Sequence, residues 1–129
     1  MGNNNYILLA EDDEDDQELI RMAFSKVTAD HTFKIVNNGQ EALETLANLN
    51  SVPCLIILDL NMPVLNGFQT LEALNSNPKF SKVPKVILTT SDSDENKKRS
   101  ISSGAVDYFV KPSNMKEFIV TAEKMLTYC

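Results

Sequence analysis

Leu55-Ile56-Ile57-Leu58-Asp59-Leu60-Asn61-Met62-Pro63 is the stretch on which the fold turns. Four consecutive branched apolar residues leave no polar face, which suits a strand covered on both sides, as in a parallel sheet. The run stops at Asp59. Working outward, Tyr6-Ile7-Leu8-Leu9-Ala10 and Lys85-Val86-Ile87-Leu88-Thr89 are almost as apolar. Thr32-Phe33-Lys34-Ile35-Val36 is more polar and suits an edge, and Asp107-Tyr108-Phe109-Val110 completes the set.

Helix-period stretches separate these runs. Leu19, Ile20, Ala23, Phe24 and Val27 fall on one face, as do Ala42, Leu43, Leu46 and Ala47. Phe68, Leu71 and Leu74 form a shorter third face, and Met115, Phe118, Ile119, Ala122, Met125 and Leu126 form the clearest. Asn114 with Glu117 predicts a cap for the last helix, and Gly104 a stop for the fourth. Ser93 to Ile101 carries almost no apolar stripe, so that helix is expected to pack lightly and move cheaply. Asn75 to Pro84 reads as a loop. Five repeats of strand then helix predict an α/β fold, a doubly wound parallel sheet with helices on both faces.

The chain has 129 residues, 43% of them hydrophobic, a length that suits one domain, residues 1–129, with no attached effector. A net charge of -6 and a pI near 4.7 argue against nucleic acid and anionic membranes as partners. No apolar run approaches a membrane span and the Asn-rich start lacks a signal-peptide core, so a cytoplasmic location is expected. Met1-Gly2 invites a myristoylation reading, but Tyr6 stands where that motif needs Ser or Thr. Cys54 and Cys129 lack metal-ligand spacing and read as a core thiol and a stray terminal one, neither a nucleophile. His31 reads as a loop histidine rather than a phosphotransfer histidine on an exposed helix.

In a doubly wound sheet, ligands bind beyond the carboxyl ends of the strands. There the chain places Glu11-Asp12-Asp13-Glu14-Asp15-Asp16, then Asp59-Leu60-Asn61, then Thr89-Thr90-Ser91, then Lys111-Pro112. Helix-start preference accounts for Asp15 and Asp16. It accounts poorly for Glu11 and Asp12, which beside Asp59 would repel one another unless a cation neutralised them. Oxygen-only ligands with room for water point to Mg²⁺. Asp59 alone would read as a turn cap. With Lys111 and Thr89 on neighbouring loops it reads as a carboxylate nucleophile for phosphorus, because such a reaction needs its equatorial oxygens neutralised more than it needs a base. Pro112 directs Lys111 into the site, and a cis Lys111-Pro112 bond would be one way to aim it.

These residues resemble the receiver domain of bacterial two-component response regulators, over essentially the whole chain. The resemblance rests on the acidic pair Glu11 and Asp12, on the D-x-x-M-P-x-x-x-G signature from Asp59 to Gly67, on Thr89 after the fourth strand, and on Lys111-Pro112 after the fifth. It implies a flavodoxin-like sheet in the order 2-1-3-4-5. It also implies that Asp59 accepts phosphate from a sensor histidine kinase or phosphotransfer protein, with Mg²⁺ held by Glu11 or its waters, Asp12, Asp59 and the Asn61 carbonyl. Lys111 and Thr89 would contact the phosphoryl oxygens. Thr89 moving inward would let Tyr108 rotate from exposed to buried, changing the face of the fourth helix, fifth strand and fifth helix offered to a downstream protein target or to a second copy in a homodimer.

The long Asn75-to-Pro84 loop and Thr89-Thr90-Ser91 resemble stand-alone receivers linked to phytochromes more than the chemotaxis type. Thr90 is bulkier than many receivers carry there, and Glu11 replaces the commoner Asp. A haloacid-dehalogenase-type phosphatase would need a second Asp where Asn61 stands. A degenerate, phosphate-independent receiver would lack one of the site residues, and six acids after the first strand would repel a flavin phosphate.

Overall fold

A computed structural model describes residues 5–129; Met1-Gly2, and with it the myristoylation question, lies outside them. Five strands, β1 (Tyr6–Ala10), β2 (Thr32–Val36), β3 (Leu55–Leu58), β4 (Lys85–Thr89) and β5 (Asp107–Val110), alternate with α1 (Glu14–Ser25), α2 (Gly39–Asn48), α3 (Gly67–Asn75), α4 (Asp94–Ser102) and α5 (Met115–Leu126). All pairs are parallel, in the order β2-β1-β3-β4-β5, the flavodoxin-like arrangement. The three central strands are those whose sequences lack a polar face.

Alternate residues of those strands feed two cores. Ile7, Leu9, Leu55, Ile57, Val86 and Leu88 meet Ile20, Ala23 and Phe24 of α1 and Phe118, Ala122 and Met125 of α5. Leu8, Ala10, Ile56, Leu58 and Ile87 meet Ala42 and Leu46 of α2 and Phe68, Leu71 and Leu74 of α3 on the other side. Of the expected face of α1, Ile20, Ala23 and Phe24 are buried and Val27 packs against them, while Leu19, at the edge of that stripe, is 37% exposed. The loop from Asn75 to Pro84 is anchored by Phe80 and Val83, both buried.

Asn114 caps α5 by accepting the Glu117 amide at 2.9 Å. Gly104 follows α4 with φ +114, a left-handed conformation that favours glycine. Ser100 is the single buried residue of α4, so the expected light packing holds. One contact of α4 with α3 is cationic, Arg99 lying 3.9 Å from the centre of the Phe68 ring. No helix among the described residues is long and apolar enough to cross a membrane.

One feature corrects the sequence reading, and another adds to it. Cys54 and Cys129 form a disulfide, with Cα atoms 4.8 Å apart, rather than standing as separate thiols. The fold closes a separation of 75 residues that no spacing rule could see. Lys85, inside an apolar strand, is 1% exposed, and its ammonium donates to Asn75 Oδ1 at 2.7 Å and to the Ser81 carbonyl at 3.2 Å. Burial holds its pKa below the ordinary lysine value.

Candidate functional site at the carboxyl end of the sheet

Parallel pairing brings the ends of β1, β3, β4 and β5 to one edge of the sheet. The Asp59 amide donates to the Ala10 carbonyl at 3.2 Å and the Glu11 amide to Val36 at 3.0 Å, continuing the ladders one residue beyond the strands. Both side chains are thereby fixed at the same level, and both are buried, at 6% and 1% exposure. Gly67 allows the next turn to close over them: a Cβ there would lie 2.5 Å from the Asp59 carbonyl and 2.9 Å from Leu60 Cα. The final glycine of the signature is therefore a requirement of close backbone approach. Between them Val64 adopts φ 68, a left-handed conformation costly for a β-branched residue, with its side chain in solvent.

Lys111 is the centre of the cluster. Its ammonium lies 2.8 Å from Glu11 Oε1, 2.7 Å from Asp16 Oδ2 and 3.0 Å from Asp59 Oδ2. The residue is aimed by its own amide, which donates to the Thr89 carbonyl at 2.7 Å and prolongs the β4–β5 pairing. There is no cis peptide bond among the described residues, so the Lys111-Pro112 bond is trans and the cis route does not operate. Burial would lower the Lys111 pKa, but bonds to Asp16 and Glu11 and the charge of Asp59 raise it above the ordinary lysine value.

Asp16 is the site residue that sequence reasoning missed. The cap of α1 is Asp13, whose side chain accepts the Asp16 amide at 3.0 Å, which frees the Asp16 carboxylate to turn toward Lys111. The available signal was position: on the first turn of a helix that rises from the same edge as Glu11.

One oxygen each from Glu11, Asp12 and Asp59 lies within 4.8 Å of the others, with Asp12 exposed and the other two buried. Burial, reinforced by the charge of Asp59 and only partly offset by Lys111 and the Asp13 amide, pushes the Glu11 carboxyl up to about 7. Three carboxylates against one ammonium, with Asp12 beside them, make an excess of negative charge that a hard divalent cation fits, since the donors are all oxygen. Asn61 is exposed beside the cluster, its amide donating to Asp59 Oδ1 at 3.3 Å.

On the other flank Thr89 is fully buried and its hydroxyl accepts the Ser91 amide at 3.4 Å. Tyr108, 8% exposed, stands in the inward position and donates its hydroxyl to the Ser91 carbonyl at 2.7 Å. Ser91 thus holds both expected switch residues. Thr90 is exposed at the rim.

The family model for the response regulator receiver domain matches residues 7–123. The chain belongs to that family. Receiver domains are components of two-component signalling rather than enzymes in the usual sense. Response regulator Rcp1 of Synechocystis is 32% identical over 116 residues, 86% of this receiver domain and 79% of that protein. The structure of the Mn²⁺-bound form of Rcp1 superposes with a TM-score of 0.84 at 30% identity, covering 95% of this chain and 92% of that one. The phosphorylated cyanobacterial phytochrome response regulator RcpA gives a TM-score of 0.87 at 30% identity, covering 98% and 97%. The resemblance to phytochrome-linked receivers thus extends to the whole fold of this receiver domain.

Proposed function

We propose that the domain is a Mg²⁺-dependent phosphoryl acceptor on Asp59. The observation that carries this reading is the placement of Lys111 within 3.0 Å of Asp59 and Glu11 in a buried cluster of excess negative charge. Glu11, through water or directly, together with Asp12, Asp59 and the Asn61 carbonyl, would hold the Mg²⁺. When bound, the cation supplies charge neutralisation for the phosphoryl oxygens.

An Asp59 carboxylate oxygen forms a bond to phosphorus as the P–N bond of a donor phosphohistidine breaks, and the departing imidazole takes up a proton. The product is an acyl phosphate. Lys111 is already 3.0 Å from one Asp59 oxygen and can follow the negative charge outward onto the phosphoryl group. Thr89 has a hydroxyl held only by a 3.4 Å contact, so it is free to donate to a phosphoryl oxygen. That movement draws on Ser91 and hence on Tyr108.

The face affected comprises α4, β5 and α5, where Ile101, Val106, Val110 and Val120 are 47%, 47%, 41% and 45% exposed. Such apolar exposure suits a protein target or a second copy of the chain rather than nucleic acid. A sensor histidine kinase or phosphotransfer protein would be the donor, and the domain would work in the cytoplasm.

Intact mass after incubation with Mg²⁺ and acetyl phosphate tests the proposal. A single phosphoryl adduct that requires Mg²⁺ and vanishes in Asp59→Asn is expected. An adduct that persists in Asp59→Asn, or one indifferent to Mg²⁺, would overturn it. Sedimentation with and without the phosphate mimic beryllofluoride separates a homodimer, whose mass doubles, from a domain reserved for other partners.

A further inference from the structure

At the opposite end of the sheet three residues meet that play no part in phosphoryl transfer. His31 lies in the turn between α1 and β2, Cys54 immediately precedes β3, and Cys129 follows α5. One ring nitrogen of His31 and the two sulfurs all lie within 4.8 Å of one another. Backbone bonds fix the two cysteines, the Cys54 amide donating to Tyr6 and the Cys129 amide to Leu126, each at 3.0 Å. His31 Nδ1 lies 2.7 Å from the Thr28 hydroxyl, whose oxygen also accepts the Asp30 amide at 3.2 Å. With Nδ1–H donated to Thr28, the free lone pair is on Nε2, the arrangement by which a neighbouring hydroxyl orients a metal-ligating imidazole.

Two thiolates and an imidazole are the donor set of borderline and soft cations, not of Mg²⁺. Bond lengths of about 2.3 Å to sulfur and about 2.0 Å to nitrogen put tetrahedral ligand atoms roughly 3.5–3.8 Å apart, so the two sulfurs, bonded to each other in the disulfide, must part on reduction to take those positions, while the imidazole already lies within 4.8 Å of both. In the disulfide both sulfurs are spent on each other. A thiol reductant converts it to two thiols by supplying two electrons and two protons and is itself oxidised to a disulfide. A divalent cation then displaces both thiol protons.

We propose that His31, Cys54 and Cys129 form a binding site for a thiophilic cation, Zn²⁺ in the first instance, open only in the reduced protein. Three ligands come from the chain and water takes the fourth position. The site joins the end of α5 to the start of β3. It is independent of the Asp59 centre, from which it differs in donor chemistry and lies at the other edge of the sheet.

Co²⁺ titration of the phosphine-reduced protein in excess Mg²⁺ tests it. One Co²⁺ per chain is expected, with a sulfur-to-cobalt charge-transfer band and intense tetrahedral visible bands, both abolished by Zn²⁺ and absent from the oxidised protein. Cys129→Ser should eliminate the charge transfer from that sulfur and weaken Co²⁺ binding at least tenfold. His31→Gln, at a half-buried turn position, should leave the helical signal intact, weaken binding and change the visible bands, and Thr28→Val should weaken it about tenfold. Asp59→Asn should change none of this. Absence of charge transfer in the reduced protein, or a spectrum unaltered by Cys129→Ser or by His31→Gln, would overturn the assignment.

Discussion

The Glu11 carboxyl supplies the sharpest prediction, because one titration couples the fold to the metal. Its ordinary value of 4.5 rises to about 7 in the folded, metal-free protein, chiefly through burial. A divalent cation requires the anion, so the apparent affinity for Mg²⁺ should weaken about tenfold from about pH 8 to about pH 6, and about tenfold again by about pH 5. Near about pH 7, binding should release roughly half a proton. Calorimetric titration in two buffers of different ionisation enthalpy measures both quantities. Glu11→Gln removes the titrating group and should bind more weakly with a flattened pH profile. An affinity independent of pH over that range in the parent protein, or an unchanged slope in Glu11→Gln, would refute the reasoning.

The same shift has a consequence for stability. Because the folded pKa is raised, the contribution of Glu11 is fully present below its ordinary value and is lost as pH rises through about 7. Metal-free protein should therefore lose about 2 to 3 kcal/mol from this group between about pH 5 and about pH 8, and Mg²⁺ should restore stability by mass action.

Other substitutions follow from the geometry. Lys111→Met leaves Glu11, Asp16 and Asp59 without their common cation and should cost about 3–5 kcal/mol in urea unfolding of the metal-free protein, less when Mg²⁺ is added. Val64→Gly relieves the left-handed β-branched residue and should raise the urea midpoint by about 1 kcal/mol equivalent without altering phosphorylation. Gly67→Ala forces a Cβ against the Asp59 carbonyl, should cost about 1–3 kcal/mol, and should slow adduct formation by displacing the nucleophile. Tyr108→Phe loses the bond to Ser91 and should cost about 1 kcal/mol while leaving the acyl phosphate able to form.

The fold was legible because its signals are periodic and local. The unbroken apolar runs of β1, β3 and β4 can be satisfied only by a two-sided sheet, and Asn114 and Gly104 mark helix ends through their own backbone chemistry. The residues of the candidate site were legible because strand ends are where a parallel sheet must gather them. What escaped depends on contacts between distant segments. Asp16 looks like any acid in a first helical turn until Lys111 arrives from 95 residues away. Lys85 looks like part of an apolar strand run until its ammonium is seen to donate a hydrogen bond to Asn75. Cys54 and Cys129 look unrelated until the last helix returns beside the third strand.

The most direct measurement is to locate the phosphoryl group. Protein treated with Mg²⁺ and acetyl phosphate is reduced with borohydride, which converts an aspartyl phosphate to homoserine, and digested for tandem mass spectrometry. The account predicts homoserine at position 59 alone, dependent on Mg²⁺. Homoserine at Asp12, Asp16 or any other aspartate, with Asp59 unmodified, would contradict it.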